Sequence, residues 1–321
     1  MTTLTDMMNE VSINLSGYTL QQDRATHITS DVAATVSTIA APITLALAST
    51  DSVGKGVIEI DEELFWVDNY DRVGNTATIA PYGRAYLGTT LSAHTAGTKV
   101  TIAPTFPKFV IKRAINDTIS AIGSSIFAAK TTTITSNAAV SAFRLPAGTD
   151  ATLNIKKILS ISYQALGATK EWIPIRTYRF DSNANLTAFT SGQTVSIYDY
   201  IPSGRSVQIV YSTNPTPFTT VINATYTTLT AINDQVFTTV TGLPESCKDL
   251  VILGATYRLL SNLDPARASM VSPQADETDS KRPYGSSQSL TKQVYSLFNQ
   301  RLNEEIKNQQ DKDPLRVPYS L

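Results

Sequence analysis

Residues 104–128 read PTFPKFVIKRAINDTISAIGSSIFA, and the hydrophobic period changes within them. Ile111, Ile115, Ile119, Ile122 and Ile126 recur at steps of four, four, three and four, which lays one apolar stripe along a helix. Pro107 suits the first turn, where its missing N–H costs nothing. Lys108, Lys112, Arg113 and Asp117 fall on the polar side.

On either side the chain reads as strands. Before the stripe, residues 39–104 contain ITLALA, GVIEIDEELFWVDNY, TATIAPYG and TKVTIAP, punctuated by glycines, which predicts a small β-hairpin or barrel module. After it, residues 130–244 contain about eight short β-type runs separated by turn residues, which predicts a β-sandwich. Leu4, Met7, Met8, Val11 and Leu15 predict an N-terminal helix over 4–15, within an N-terminal segment 1–38 of helix and loop. Two further helices are expected over 246–263 and 287–310, inside a segment 245–310 that includes a polar linker. The second carries Leu290, Val294, Phe298, Leu302 and Ile306 on one stripe. The tail 311–321 holds two prolines and is expected to be extended. Each amphipathic helix must bury its stripe. The expected fold is therefore α+β: a four-helix bundle, one helix of which is segment 105–129, carrying two β insertions.

Composition narrows the function. Lys and Arg total 26 and Asp and Glu 27 in 321 residues, so no global basic field recruits nucleic acid. One cysteine, Cys247, excludes an internal disulfide or a cysteine-based zinc site, and two histidines argue against a His-rich metal site. No metal or cofactor is expected. The start MTTLTDMMNEV lacks a secretory pattern, and the longest apolar run, 39–48, is too short for a bilayer span. A soluble protein made in a reducing cytoplasm is expected.

Four groups of residues invite chemistry. His94 lies near Ser92, Thr95 and Thr98, but no G-x-S-x-G elbow exists, and a turn supported by Gly88, Gly97 and hydroxyl side chains is the favoured reading. The acids Asp61, Glu62, Glu63, Asp68 and Asp71 suit a glycosidase or calcium in principle, but their spacing fits no EF-hand loop, and solvated faces are favoured. Trp172, Tyr178, Phe180, Tyr198, Tyr200 and Tyr211 offer sugar-stacking rings or sandwich core. Lys108, Lys112, Arg113, Lys156 and Lys157 offer phosphate contacts or, more plainly, solvated charge and ion pairs.

Residues 56–107 carry a resemblance. Gly56, Ile58, Ile60, Asp61 and Glu63, followed by Arg84, Ala85, Gly88, Thr89, Ala93, His94, Gly97 and Val100, resemble a module of about 50 residues that recurs in structural proteins of tailed bacteriophages. The module commonly has glycine after the arginine, where this chain has Ala85. The wider layout is similar to head-to-tail connector, or adaptor, proteins of the phage neck. That resemblance implies a virion protein made in the host bacterial cytoplasm and no catalysis. It implies a homo-oligomeric ring of about twelve copies below the portal protein, contacting neck or tail proteins downstream. DNA would pass through the channel without sequence-specific binding, and no membrane is involved. Arg84, Gly88, His94 and Gly97 would support a structural turn, and Leu315, Arg316, Val317, Pro318 and Tyr319 would form a partner-binding tail. The alternative is a tail or baseplate protein whose sandwich binds host glycan. A third option, weaker than both, is a carbohydrate-active enzyme using Asp61 and Glu63.

Overall fold

The computed structural model describes residues 1–19, 23–137, 140–145, 155–166, 171–189, 191–220, 223–261 and 286–312. The expected partner-binding residues Leu315, Arg316, Val317, Pro318 and Tyr319 lie outside them, as does most of the polar linker.

Helix α1 (Leu4–Thr19) opens the chain. Six strands follow: β1 (Arg24–His27), β2 (Thr44–Ala46), β3 (Gly56–Ile60), β4 (Glu63–Asp71), β5 (Thr76–Ile79) and β6 (Lys99–Ile102). They form one antiparallel sheet in the order β1-β6-β3-β4-β5-β2. The sheet curls until its two edges meet, through the bridge Ile28↔Leu47 and the bonds Thr29 N–H to Ala46 O and Ala48 N–H to His27 O, each 2.9 Å. Edge closure removes the unpaired N–H and C=O groups that an open sheet would expose. Ile58, Ile60, Phe65, Val67, Ala77, Ile79, Val100 and Ile102 point inward and fill it. Strand β1 falls in a stretch with no clear period, and its role is set by long-range pairing with β6.

Helix α2 (Lys108–Ile122) crosses from this sheet to the second β unit, and its isoleucine stripe is buried throughout. The second unit comprises β7 (Ala128–Thr135), β8 (Ala142–Arg144), β9 (Ile155–Gln164), β10 (Trp172–Ile175), β11 (Tyr178–Asp181), β12 (Thr194–Ile197) and β13 (Ser206–Thr213). They make two antiparallel sheets, β10-β9-β13-β7 and β11-β12-β8, which share one apolar cluster that includes Ile158, Ile161, Val195, Ile197, Val207 and Ile209.

Short helices α3 (Leu229–Asn233) and α4 (Phe237–Thr241) precede α5 (Lys248–Ser261), and α6 (Ser286–Lys312) closes the described chain. Among the described residues the four-helix bundle expected from the sequence is not there. Strands outnumber helices, thirteen to six among the described residues, and two of the helices are only five residues long. Helix α5 is the shared neighbour of α1, α2 and α6. Phe218, Phe237, Leu243 and Cys247, from outside the four expected stripes, complete the core they share. A helical stripe says that a face is buried, not what buries it.

Side-chain carboxamides stitch this arrangement together. Asn116 on α2 accepts from Phe218 N–H at 2.9 Å and donates to Phe218 O at 3.0 Å. Gln235 does the same for Thr219 at 3.0 and 2.8 Å, and Gln309 on α6 for Phe127 at 3.1 and 2.6 Å. Each amide supplies the donor and acceptor that a strand neighbour would, so irregular backbone is buried without orphaned groups.

Candidate functional site

The β3–β4 hairpin turns on two residues, Asp61 and Glu62, with Asp61 at φ 56°. A two-residue turn fixes where successive side chains point. Here it sends Asp61 to His94, Glu62 to Lys112 and Glu63 into the interior against Arg84.

The side chains of Glu63, Arg84 and His94 are fully buried. Arg84 and Glu63 pair as two forks, Nε to Oε1 at 2.9 Å and Nη2 to Oε2 at 2.7 Å. The remaining guanidinium N–H groups donate to the carbonyls of Ala33, Thr35 and Ser92, so the five donors of the arginine are all used. Glu63 also accepts from Ala85 N–H at 3.1 Å and Ser92 N–H at 2.9 Å. The guanidinium lies 4.8 Å above the Phe65 ring. The cluster therefore pins the stretch 84–94 and the segment 32–35 to the barrel wall, with Val32 and His94 exchanging backbone bonds at 2.8 and 2.9 Å.

His94 has a carboxylate on each nitrogen: Nδ1 is 2.8 Å from Asp61 and Nε2 is 3.0 Å from Glu63. Burial works against its charge, but the hydrogen bonds it donates to Asp61 and Glu63 outweigh it and hold the pKa above the usual value. For Glu63 burial works against ionisation, and His94, Arg84 and Ser92 together hold it below the usual carboxylate range. With both acids ionised and both bases protonated, the four charges sum to zero. Ser92 Oγ lies 3.3 Å from Nε2, but that nitrogen faces Glu63 at shorter range. An imidazolium donating to two carboxylates has no lone pair for a serine proton. The arrangement balances three buried charged groups with one carboxylate, Asp61, at the exposed turn.

The glycines named in the sequence reading take the left-handed turn positions, Gly88 at φ 78° and Gly97 at φ 88°. Ala85 takes the same region at φ 50°, ψ 36°, which aims its N–H at Glu63. A non-glycine residue pays about 1 kcal/mol for that conformation. Ala85→Gly is expected to stabilise the protein by about 0.5–1 kcal/mol, read as a rise of about 1–3 °C in melting temperature. A fall would mean the turn is not left-handed.

Several expected surface charges are internal. Glu62 and Glu63 are buried, which corrects the solvated-face reading for that part of the acidic run, and Glu59, just before it, is buried as well. Glu59 accepts the N–H of Lys108 at the start of α2 at 2.7 Å, and burial raises its pKa to about 7. Lys112 is 3% exposed and pairs with Glu62, not with solvent. Lys156 donates to Gly123 O at the end of α2 at 2.6 Å, while Arg113 stays exposed beside Asp117. Of the aromatic group, Tyr211 is core, Tyr178 and Phe180 pack on it, and Trp172, Tyr198 and Tyr200 are exposed. Cys247 is buried against Glu305, which with desolvation pushes its thiol up to about 12 and leaves it inert.

These titrations give a pH profile. Glu63, with a lowered pKa, stabilises above its unfolded value near 4.5 and loses that contribution as pH falls. His94, with a raised pKa, stabilises below its unfolded value near 6.5 and loses that contribution as pH rises through the folded value. Glu59, raised from 4.5 to about 7, lowers stability as pH rises across that interval, by about 3 kcal/mol at most. Urea midpoints are expected to peak on the acidic side of neutrality and fall above it, and Glu59→Gln is expected to flatten the fall between pH 5 and 7. Parallel profiles for the two proteins would refute the assignment.

The deciding signal for this site was in the text. Acids at 59 and 63 sit among Ile58, Ile60, Leu64 and Phe65, so at least one had to be buried and to find a buried partner. The Glu62–Lys112 pair and the carboxamide stitches left no comparable trace. Among the described residues no helix is long and apolar enough to cross a membrane. Compared with known proteins, the chain matches no family model and no curated protein.

Proposed function

We propose that this chain is a structural protein of a tailed-phage virion, a head-to-tail connector that forms a ring below the portal around the DNA channel. One observation carries the reading: among the residues that resemble the phage module, Glu63, Arg84 and His94 are buried in one ion cluster, and Asp61 caps it from the exposed hairpin turn. A module whose distinctive residues hold its own turn acts as a rigid building block. The near-neutral net charge of −1 suits a part that touches protein on several sides and lets DNA pass. In this reading the chain is not an enzyme, and residues 311–321 engage the portal or a neighbouring copy.

Antibody-gold labelling of purified virions tests it. Gold at the head–tail junction is the expected result. Gold at the tail tip would replace this reading with the second one, a tail or baseplate protein. The exposed Trp172, Tyr198 and Tyr200 favour that alternative, because exposed rings can stack on sugars. Saturable binding to host polysaccharide, lost in Tyr200→Ala, would then be its test.

A further inference from the structure

Beneath the barrel, three side chains from distant parts of the chain meet. Lys112 on α2 is buried, its Nζ in direct contact with Glu62 Oε2 and 2.9 Å from Asn233 Oδ1 at the end of α3. Glu62 is buried too, and its other oxygen, Oε1, has no hydrogen-bond partner. Asn233 is held in place, since its carbonyl accepts from Thr5 Oγ1 and the following turn is fixed by Gln235. An amine touching both a carboxamide and a carboxylate, with the amine and carboxylate buried and the carboxamide half-buried, is the reactant set for amide exchange.

We propose that Lys112 and Asn233 form an intramolecular isopeptide bond, with Glu62 as the catalytic proton carrier. An ion pair in a low-dielectric site can exchange a proton along its contact, giving a neutral amine and a neutral carboxylic acid. The Lys112 Nζ lone pair attacks Asn233 Cγ, forming a C–N bond, while the carboxylic acid of Glu62 supports the charge growing on Oδ1. The attacking nitrogen gives up a proton, Glu62 relays one to Nδ2, and the Cγ–Nδ2 bond breaks with release of ammonia. Amine plus primary amide become secondary amide plus ammonia, so no oxidant, reductant or cofactor is needed. A cavity of about 220 Å³ lined by Glu62, Lys112, Thr89, Phe109, Thr220 and Leu229 adjoins the pair and gives ammonia a way out. Fixed orientation at contact distance supplies the effective concentration that such a slow reaction requires.

The bond would close a loop of 121 positions that contains the whole second β unit. It would tie α2 to α3 at the base of that unit, a covalent brace where the folded chain otherwise relies on hydrogen bonds.

Intact-mass measurement on the purified full-length protein, followed by peptide mapping, decides the matter. The expected wild-type result is a deficit of about 17 Da, the mass of ammonia, with a branched peptide joining the Lys112 and Asn233 segments. Lys112→Met, Asn233→Ala and Glu62→Gln are each expected at the full mass of their sequences. A wild-type protein that keeps its full mass after weeks in the folded state overturns the proposal, whether or not any variant folds. So does a deficit without the branched peptide, which would indicate a succinimide. A Glu62→Gln protein that cross-links as fast as wild type overturns the role of Glu62.

Discussion

Glu63→Gln is expected to destabilise the protein by about 3–5 kcal/mol, the cost of leaving buried charges without their partner. The substitution keeps the side chain's size and removes its charge. Arg84 and His94 would then remain as two cations in a closed interior, facing an amide with one acceptor oxygen where the carboxylate had two. The amide NH₂ would point at groups that are themselves donors. Ala85 and Ser92 would lose a shared acceptor, so the turn that carries them would loosen. The two tryptophans make the effect separable. Trp66 lies on β4 of the barrel, beside Tyr86 at 5.2 Å, and Trp172 on β10 of the second β unit. In a Trp172→Phe background, fluorescence during urea unfolding reports the barrel alone. The midpoint of that transition should fall sharply in Glu63→Gln. An unchanged midpoint would mean that the cluster contributes nothing to the barrel.

The second large effect is expected at Gly254. A Cβ added there would lie 2.3 Å from Thr118 Cγ2 on α2 and 3.0 Å from Phe298 Cε2 on α6. No side-chain rotation relieves both contacts, because Thr118 is held by its hydroxyl bond to Ala114 O at 2.7 Å. Gly254→Ala should therefore push the helices apart and cost about 2–3 kcal/mol, within the range for overpacked cores. Thr118→Ser removes the clashing methyl and keeps the hydroxyl. In that background the cost of Gly254→Ala should shrink, giving a favourable coupling between neighbours. Additive costs would show that α2 and α5 do not meet at Gly254.

Much of this was legible before folding, and for physical reasons. The isoleucine stripe of 111–126 announced α2, because a period near 3.6 is set by local geometry. The alternation around Ile58 and Ile60 announced β3 by the same logic. What burying each face meets is a long-range matter, and there the text misled: four stripes suggested a bundle, whereas loop residues such as Phe218 and Leu243 share the core around α5. Strand β1 was missed because only four residues pair, and it is their register with β6 that makes them a strand. At the site, Arg84 and His94 were singled out, but the sequence placed them in a turn and could not show that Glu63 receives both. Lys112 on the expected polar face gave no hint that Glu62 and Asn233, 50 and 121 positions away, would enclose it.

The central claim is that His94 is a charged member of a structural cluster and not a base. Nitrogen NMR of the His94 ring, recorded across the pH range on uniformly labelled protein, tests it most directly. The account predicts that both ring nitrogens remain protonated above pH 6.5, with His27 as a second signal to distinguish. A His94 ring that is neutral at pH 6.5, with an unprotonated Nε2 beside Ser92, would contradict the account and return the site to catalysis.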